Sequence, residues 1–234
     1  MIDLKDVSYE TNSRELFSDV SFVINAGDKI GLVGPNGAGK TTLLKIINGD
    51  IQPTSGDIIS GGEEIGILPQ NLNKWLDKTV YDFIEEVTGV KSAREEFDYQ
   101  CERLTQEASE KTLLAYGEAL ERYEKFEVAN FDTTIKKALS RAALGDIDPD
   151  RRLNTFSGGQ RTRIALAAVF ASRYDLILLD EPTNNLDDSG VILLEDFIDN
   201  SPASFLIVSH DRHFLRNTEE RIIELTGGKG VNKY

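Results

Sequence analysis

Short runs of consecutive apolar residues alternate with amphipathic segments along the chain. The apolar runs are residues 29–33, 176–179 and 205–208. Strands that are buried on both faces of a parallel sheet have this pattern. The helical segments are residues 42–47, 161–170 and 191–198. The pattern therefore predicts an α/β fold, with buried strands and helices around them.

The first thirty residues differ, because they alternate as short strands separated by turns. These strands are predicted at residues 2–4, 7–9 and 20–24. Two further strands are predicted at residues 57–59 and 64–68. We expect an antiparallel sheet that leads into the first buried strand.

Helical spacing replaces the strand pattern between residues 71 and 150. Its apolar stripes are narrow and flanked by charge, with ten acidic and four basic residues from Glu95 to Glu127. We predict one domain, in which residues 1–70 and 151–234 form the α/β core and residues 71–150 a helical subdomain. A protruding helical hairpin is expected at about residues 92–128, and an ordinary packed subdomain is the alternative.

Composition narrows the function classes. The 234 residues carry 26 basic and 40 acidic side chains, a net charge of −14, which argues against a broad basic surface for nucleic acid. No apolar run approaches the roughly 18 residues that a spanning helix needs. One cysteine, Cys101, excludes an internal disulfide and fits a reducing cytosol.

A phosphate-binding loop follows the first buried strand. It reads Gly34-Pro35-Asn36-Gly37-Ala38-Gly39-Lys40-Thr41-Thr42 and fits G-x-x-x-x-G-K-[ST] between a strand and a helix. The glycines let backbone N–H groups converge on phosphate oxygens at a helix N-terminus. Lys40 is expected to reach the β and γ phosphates, and the Thr41 hydroxyl to bind Mg²⁺. The predicted phosphate-binding residues are Gly34, Asn36, Gly37, Ala38, Gly39, Lys40, Thr41 and Thr42.

Polar side chains also follow three other strands, where ligands bind in doubly wound sheets. Asp180 and Glu181 end the second buried strand, where carboxylates are costly unless a metal or partner uses them. Asp180 can hold Mg²⁺, and Glu181 can polarise a water for attack on a γ-phosphorus. His210 follows the third buried strand and can donate a hydrogen bond to a γ-phosphate. Gln70 follows the strand at 64–68, and alone it would be a surface glutamine.

Two other positions have competing interpretations. Ser157 is placed to cap the helix that begins with Gly158 and Gly159, leaving a bare helix N-terminus that could bind an anion. A plain capping turn is the alternative. Tyr9 offers a π-face for a nucleotide base, or is a half-buried strand tyrosine.

The order of these elements resembles that of the ATP-binding cassette (ABC) ATPases over essentially the whole chain. The element Phe156-Ser157-Gly158-Gly159-Gln160 makes the match specific, although Phe156 stands where leucine is usual. The resemblance implies a P-loop NTPase fold: a RecA-like core with an antiparallel β subdomain and an inserted α-helical subdomain. It also implies an Mg²⁺-dependent ATPase in which Tyr9 stacks on adenine, Gln70 senses Mg²⁺ and the attacking water, and Glu181 is the base. His210 would hold the γ-phosphate.

The resemblance further implies that the Ser157 loop, with Gly158, Gly159 and Gln160, completes the nucleotide site of a second cassette. Two cassettes should close head to tail around two ATP molecules, with residues 185–187 along the seam. Phe156 is expected to pack rather than to touch phosphate.

Within the superfamily the sequence looks most like the ABC-F class of cytoplasmic, translation-associated ATPases. Residues 183–187, residues 208–215 and the helical insert after Gln70 carry this similarity, while Asn185 departs from the histidine or aspartate common there. The class implies a ribosome as partner and a second cassette in tandem. The alternatives are the nucleotide-binding subunit of a membrane transporter, with separately encoded membrane partners, and a non-hydrolysing nucleotide-binding module.

Overall fold

The computed structural model describes residues 1–11, 14–69, 72–227 and 230–233. Contacts divide the chain into two compact units, Met1–Gln70 with Tyr174–Tyr234, and Asn71–Arg173. The sequence interpretation put the second boundary at residue 150. The helix of residues 158–171 belongs to the helical unit because it packs against two other helices of that unit. Gln70, a predicted site residue, lies outside the described residues.

The first unit contains all the strands found in the described ranges. They are β1 (Ile2–Thr11), β2 (Arg14–Ile24), β3 (Lys29–Val33), β4 (Ser55–Ser60), β5 (Ile65–Leu68), β6 (Leu176–Asp180), β7 (Ser204–Val208), β8 (Arg221–Leu225) and β9 (Val231–Lys233). Six of them form one sheet in the order β5-β6-β7-β3-β8-β9. Every neighbouring pair is parallel except β8 and β9. The three apolar runs are thus confirmed as the central strands β6, β7 and β3.

The parallel register explains why those strands are apolar. All five residues of β7 and the first four of β3 and of β6 are buried. Strand β6 becomes partly exposed only at Asp180. Because β6, β7 and β3 are adjacent and parallel, their carboxyl ends meet at one edge of the sheet. The polar residues that follow them therefore come together.

The other sheet is antiparallel, with the order β2-β1-β4. The prediction of two separate strands at residues 2–4 and 7–9 is wrong, because both ranges lie in the single strand β1. The register of β1 against β2 shifts between Leu4 and Val7, around Asp6 with a φ of 50°. A bulge of this kind looks like a turn in the sequence but does not end the strand. Tyr9 is half-buried on β1 and pairs with Phe17 on β2.

The helices are α1 (Lys40–Ile47), α2 (Val80–Val87), α3 (Val90–Gln106), α4 (Glu110–Lys125), α5 (Phe131–Arg141), α6 (Gly158–Ala171), α7 (Asp188–Asn200) and α8 (Arg212–Thr218). Short 3-10 turns cover Asn73–Trp75, Val128–Asn130 and Leu153–Thr155. Helices α2 to α6 belong to the second unit, and the others to the first. In the described part of the chain, none of these helices combines the length and apolarity needed to cross a bilayer.

Helices α3 and α4 form a hairpin within the helical unit. Residues 107–109 connect them, and Ser109 begins α4 with a capping box to Thr112. The Phe97 ring of α3 lies 5.7 Å from the Tyr116 ring and 4.5 Å from the Tyr123 ring of α4. These aromatic contacts hold the two helices together along the predicted stripe.

The first unit also contains a buried carboxyl group, that of Glu219, between α8 and β8. A side chain at Gly31 of β3 would occupy the same space as this carboxyl. Both oxygens are buried, and neither has a hydrogen-bond partner in the described ranges. Burial raises the pKa of Glu219 from 4.5 to about 9. The carboxyl is therefore protonated in the fold at neutral pH.

We predict that Glu219→Gln stabilises the protein at pH 8 more than at pH 5. The native state keeps a proton that the unfolded chain loses above pH 4.5, so stability falls as pH rises from about 4.5 to 9. The free energy of unfolding can fall by at most about 1.4 kcal/mol per pH unit through this one group. Urea unfolding of the parent and the variant at the two pH values measures the free energy of unfolding. The exposed neighbour supplies the control, Glu220→Gln, and an equal effect of both substitutions would contradict the prediction.

Candidate nucleotide site

The phosphate loop connects β3 to α1 and depends on glycine at defined positions. Gly34, Gly37 and Gly39 have φ values of 149°, 79° and 95°, which side chains rarely adopt. A side chain at Gly34 would also collide with the carbonyl oxygen of Leu225, and a Cβ at Gly39 would lie 2.8 Å from a ring carbon of Phe17. The loop can therefore take this path only with these glycines.

Lys40 begins α1 and folds back over the loop. Its side chain is buried, and Nζ donates hydrogen bonds to the carbonyl oxygens of Gly34 at 2.8 Å and Pro35 at 3.2 Å. Carbonyl groups carry only partial charge, so these bonds leave the ammonium charge uncompensated. The arrangement keeps a positive charge inside the loop.

Thr41 and Asp180 meet although 139 residues separate them in the sequence. The Thr41 hydroxyl donates to Asp180 Oδ2 at 2.7 Å. Thr41 lies in the first turn of α1, and Asp180 ends β6. In the described part of the chain, no group of three or more His, Cys, Asp or Glu residues gathers as a metal site. Two hard oxygen atoms side by side suit Mg²⁺, which takes few protein ligands and completes its shell with phosphate and water.

Glu181 is held in a strained conformation next to Asp180. Its φ is 48°, in the left-handed region that is uncommon for residues other than glycine. Its backbone N–H donates to the carbonyl of Val208 at 2.8 Å, and its Oε2 accepts from the backbone N–H of His210 at 3.2 Å. Its Oε1 is buried and has no hydrogen-bond partner among the described residues. The Nε2 atom of His210 lies 3.5 Å from it.

These residues line one cleft with a volume of about 540 Å³. From the predicted set it contains Asn36, Gly37, Gly39, Lys40, Thr41, Thr42, Asp180, Glu181 and His210. Ala38, which is part of the loop, is buried. Tyr9 does not line this cleft in the described ranges, and its ring lies 6.4 Å from that of Phe17. Stacking on a base by Tyr9 stays a prediction.

The sequence interpretation missed four lining residues, which are Arg14, Leu16, Asn184 and Val208. Arg14 begins β2, and its Nη2 donates to the carbonyl oxygen of Gly37 at 2.5 Å. No motif marks this arginine, because its contact with the loop is made only when β2 folds beside it. Asn184 was predicted only as one of residues 183–187, which carry the similarity to the ABC-F class.

The Ser157 element lies in the helical unit, at the start of α6. Ser157 Oγ accepts from the backbone N–H of Gln160 at 3.3 Å, and Gln160 Oε1 accepts from that of Ser157 at 2.9 Å. The predicted N-cap is therefore confirmed, as a reciprocal capping box. Phe156 is buried, with the Arg151 guanidinium 4.5 Å above its ring, so it packs as expected.

Gly158 and Gly159 have no packing reason to be glycine. A Cβ on either would meet nothing within 4 Å in the part of the chain that is described. Neither has a positive φ. The glycines therefore leave the first turn of α6 open to whatever approaches it.

Residues 184–187 form a mostly exposed turn between β6 and α7. Asn185 has a φ of 65°, and Asp187 caps α7 by accepting from the backbone N–H of Gly190 at 3.0 Å. Only Leu186 is partly buried in this stretch. The residues expected at a seam between cassettes are therefore accessible in the single chain.

A phosphate loop at the edge of a parallel sheet, with carboxylates at the end of the neighbouring strand, defines a P-loop nucleotide-binding protein. Residues 17–184 match the family described as "ABC transporter". The chain belongs to this family of ABC ATPases.

The curated relatives are longer proteins. The chain is 37% identical to the tylosin resistance ATP-binding protein TlrC of Streptomyces fradiae, over all of this chain and 43% of that protein. It is 35% identical to the energy-dependent translational throttle protein EttA of Mycobacterium tuberculosis, over 97% of this chain and 40% of that one. It is 34% identical to the ATP-binding protein Uup of Escherichia coli, over 100% of this chain and 32% of that protein. The chain thus spans about two fifths of TlrC and EttA, and these relatives belong to the ABC-F class.

Solved structures share the fold. One is the ATP-binding cassette MJ0796 in a dimeric, post-hydrolysis state with ADP and Pi, at a TM-score of 0.69 and 24% identity, covering 100% of this chain and 98% of that one. Another is an ATP-binding subunit of an ABC transporter, at a TM-score of 0.73 and 20% identity. The match covers 100% of this chain and 89% of that one. The expected ABC ATPase fold is confirmed.

We predict that Arg14→Ala weakens nucleotide binding about tenfold, because it removes a charged hydrogen bond that holds the phosphate loop at Gly37. Titration with a fluorescent ADP analogue measures the affinity. Glu15→Ala is the control, since Glu15 binds Ser18 and does not line the cleft. An Arg14→Ala affinity equal to that of the parent would show that the contact does not order the loop.

Proposed function

We propose that the chain is an ATP-binding and ATP-hydrolysing cassette of ABC-F type. The observation that carries this proposal is the contact of Thr41 Oγ1 with Asp180 Oδ2 at 2.7 Å, in the same cleft as Lys40 and Glu181. It unites an Mg²⁺ ligand pair, a phosphate-binding charge and a carboxylate base within one unit of the fold. Glycine turns without function have no reason to gather such groups.

The substrate triphosphate would lie along the loop at the start of α1. Backbone N–H groups of residues 36–42 would donate to its oxygens, and Lys40 would exchange its bonds with the carbonyls of Gly34 and Pro35 for the β and γ phosphates. Thr41 and Asp180 would hold Mg²⁺, which neutralises phosphate charge when bound. Tyr9 is proposed to stack on the adenine and Gln70 to sense the ion and the attacking water.

Glu181 is the proposed general base. Its Oε1 is a buried acceptor without a hydrogen bond in the described ranges, so it can take a proton from a water molecule. The water oxygen forms a bond to the γ-phosphorus as the bond from that phosphorus to the β–γ bridging oxygen breaks. The products are ADP and inorganic phosphate, and the proton on Glu181 passes to solvent. His210 beside Glu181 would donate to the γ-phosphate.

A second cassette would complete the site. The open space around Gly158 and Gly159 supports this proposal, because backbone there can approach a phosphate without interference. Ser157, Gly158, Gly159 and Gln160 would act on the nucleotide of the partner, and residues 185–187 would lie along the seam. The dimeric state of the related cassette MJ0796 is consistent with this arrangement.

The relatives favour a cytoplasmic protein that acts on ribosomes. Their names include tylosin resistance and a translational throttle. The α3–α4 hairpin would act as an arm towards the ribosome, and its acidic character favours contact with protein over ribosomal RNA.

We predict that Glu181→Gln lowers ATP turnover by about a hundredfold or more, because it removes a general base. ATP binding should persist, and pairs of chains should accumulate with ATP. Phosphate release and analytical ultracentrifugation measure the two effects. Glu195→Gln, on α7 and outside the cleft, is the matched control. Turnover as fast as that of the parent would exclude Glu181 as the base.

We also predict that the Glu181→Gln protein sediments with ribosomes when ATP is present and much less with ADP. ATP would hold the closed pair that engages the ribosome. The comparison uses sucrose-cushion pellets with each nucleotide, and Lys40→Ala, which removes the phosphate contact, is the control. Consistent absence from the ribosomal pellet would argue for the transporter-subunit alternative.

A further inference from the structure

A second cleft lies beside the nucleotide cleft in the same unit. Its volume is about 620 Å³, and it is formed by the end of β3, by residues 34–36 of the phosphate loop, by residues 209 and 210, by α8 and by β8. Asn36 and His210 line both clefts. The two clefts therefore adjoin at these two residues, next to the place that the γ-phosphate is proposed to occupy.

Two arginines of α8, Arg212 and Arg216, line this second cleft. They are four positions apart, so they project from the same face of the helix. Both are exposed, and neither makes a hydrogen bond or an ion pair within the described ranges. The chain has 40 acidic residues against 26 basic ones, and Arg94, Arg173 and Arg221 each lie within 3.0 Å of a carboxylate oxygen. Two neighbouring guanidinium groups that have no partner among the described residues are suited to bind an external anion.

The other residues that line this cleft are apolar or carry little opposing charge. Val33, Leu215 and Ile222 supply apolar surface, which strengthens electrostatic attraction nearby. Glu224 is the one carboxylate that lines the cleft in the described ranges, and its Oε2 accepts from Asn232 Nδ2 at 3.0 Å. With two guanidinium groups and one carboxylate, the cleft carries a net positive charge when His210 is neutral.

We propose that this cleft is a second anion site that binds inorganic phosphate through Arg212 and Arg216. The planar guanidinium group offers paired N–H donors that match the oxygens of a phosphate. The proposal rests on the proposed function, because hydrolysis in the neighbouring nucleotide cleft is the source of the phosphate. The cleft then receives the product beside His210 while ADP stays on the phosphate loop. Phosphate from solution has the same chemistry and fits the same site.

The test measures phosphate binding apart from hydrolysis. The chain is first saturated with Mg²⁺ and ADP, to fill the phosphate loop, and is then titrated calorimetrically with inorganic phosphate at constant ionic strength. The double substitution Arg212→Gln and Arg216→Gln should weaken phosphate binding about tenfold or more and leave ADP affinity unchanged. Glu224→Gln should tighten phosphate binding, because it removes the opposing charge.

Lys136→Gln with Lys137→Gln is the matched control, since it removes the same charge from exposed positions on α5. The proposal is overturned if the parent shows no saturable phosphate binding, if the arginine variant binds like the parent, or if the control loses as much affinity. A chain that binds phosphate in this cleft but hydrolyses no ATP with a partner would contradict only the proposed function.

Discussion

The hydrogen bond between Thr41 and Asp180 joins the two parts of the chain on which the site depends. It can form only if β3 and β6 lie in one sheet with the same direction, so that α1 begins where β6 ends. Strand β7 between them brings Val208 to the backbone of Glu181 and His210 to its side chain. The parallel order of three apolar strands is therefore the constraint that gathers the polar residues.

Charge is distributed unevenly in this acidic protein, and its placement carries functional meaning. Lys40 and the pair Arg212 and Arg216 present positive charge on adjoining clefts, whereas Glu181 has one buried oxygen without a hydrogen bond in the described ranges. Buried acceptors of this kind are uncommon and point to a ligand, water or proton that uses them. Glu219 differs, because its buried carboxyl lies against Gly31 and away from both cleft linings. Its raised pKa affects stability rather than chemistry.

The sequence was informative where a local rule decides the structure. Consecutive apolar residues predicted β3, β6 and β7, glycine spacing predicted the phosphate loop, and Ser157 before two glycines predicted the cap of α6. It was less informative where local signals are ambiguous. The bulge at Asp6 looked like a turn, and Leu113, an apolar residue of α4, is 60% exposed. Periodicity describes a helix face, but contacts decide whether that face is covered.

The sequence by itself determined the family, the central strands and the residues that can carry phosphate and metal chemistry, because these depend on residue types at fixed spacings. Only the tertiary structure decided which distant residues meet. It placed Arg14 on Gly37 and gave Glu181 a strained backbone and an Oε1 atom without a hydrogen bond in the described ranges. It also buried Glu219 against Gly31 and put Arg212 and Arg216 beside the phosphate loop. Such contacts follow from strand order and helix packing over the whole chain, and no local pattern contains them.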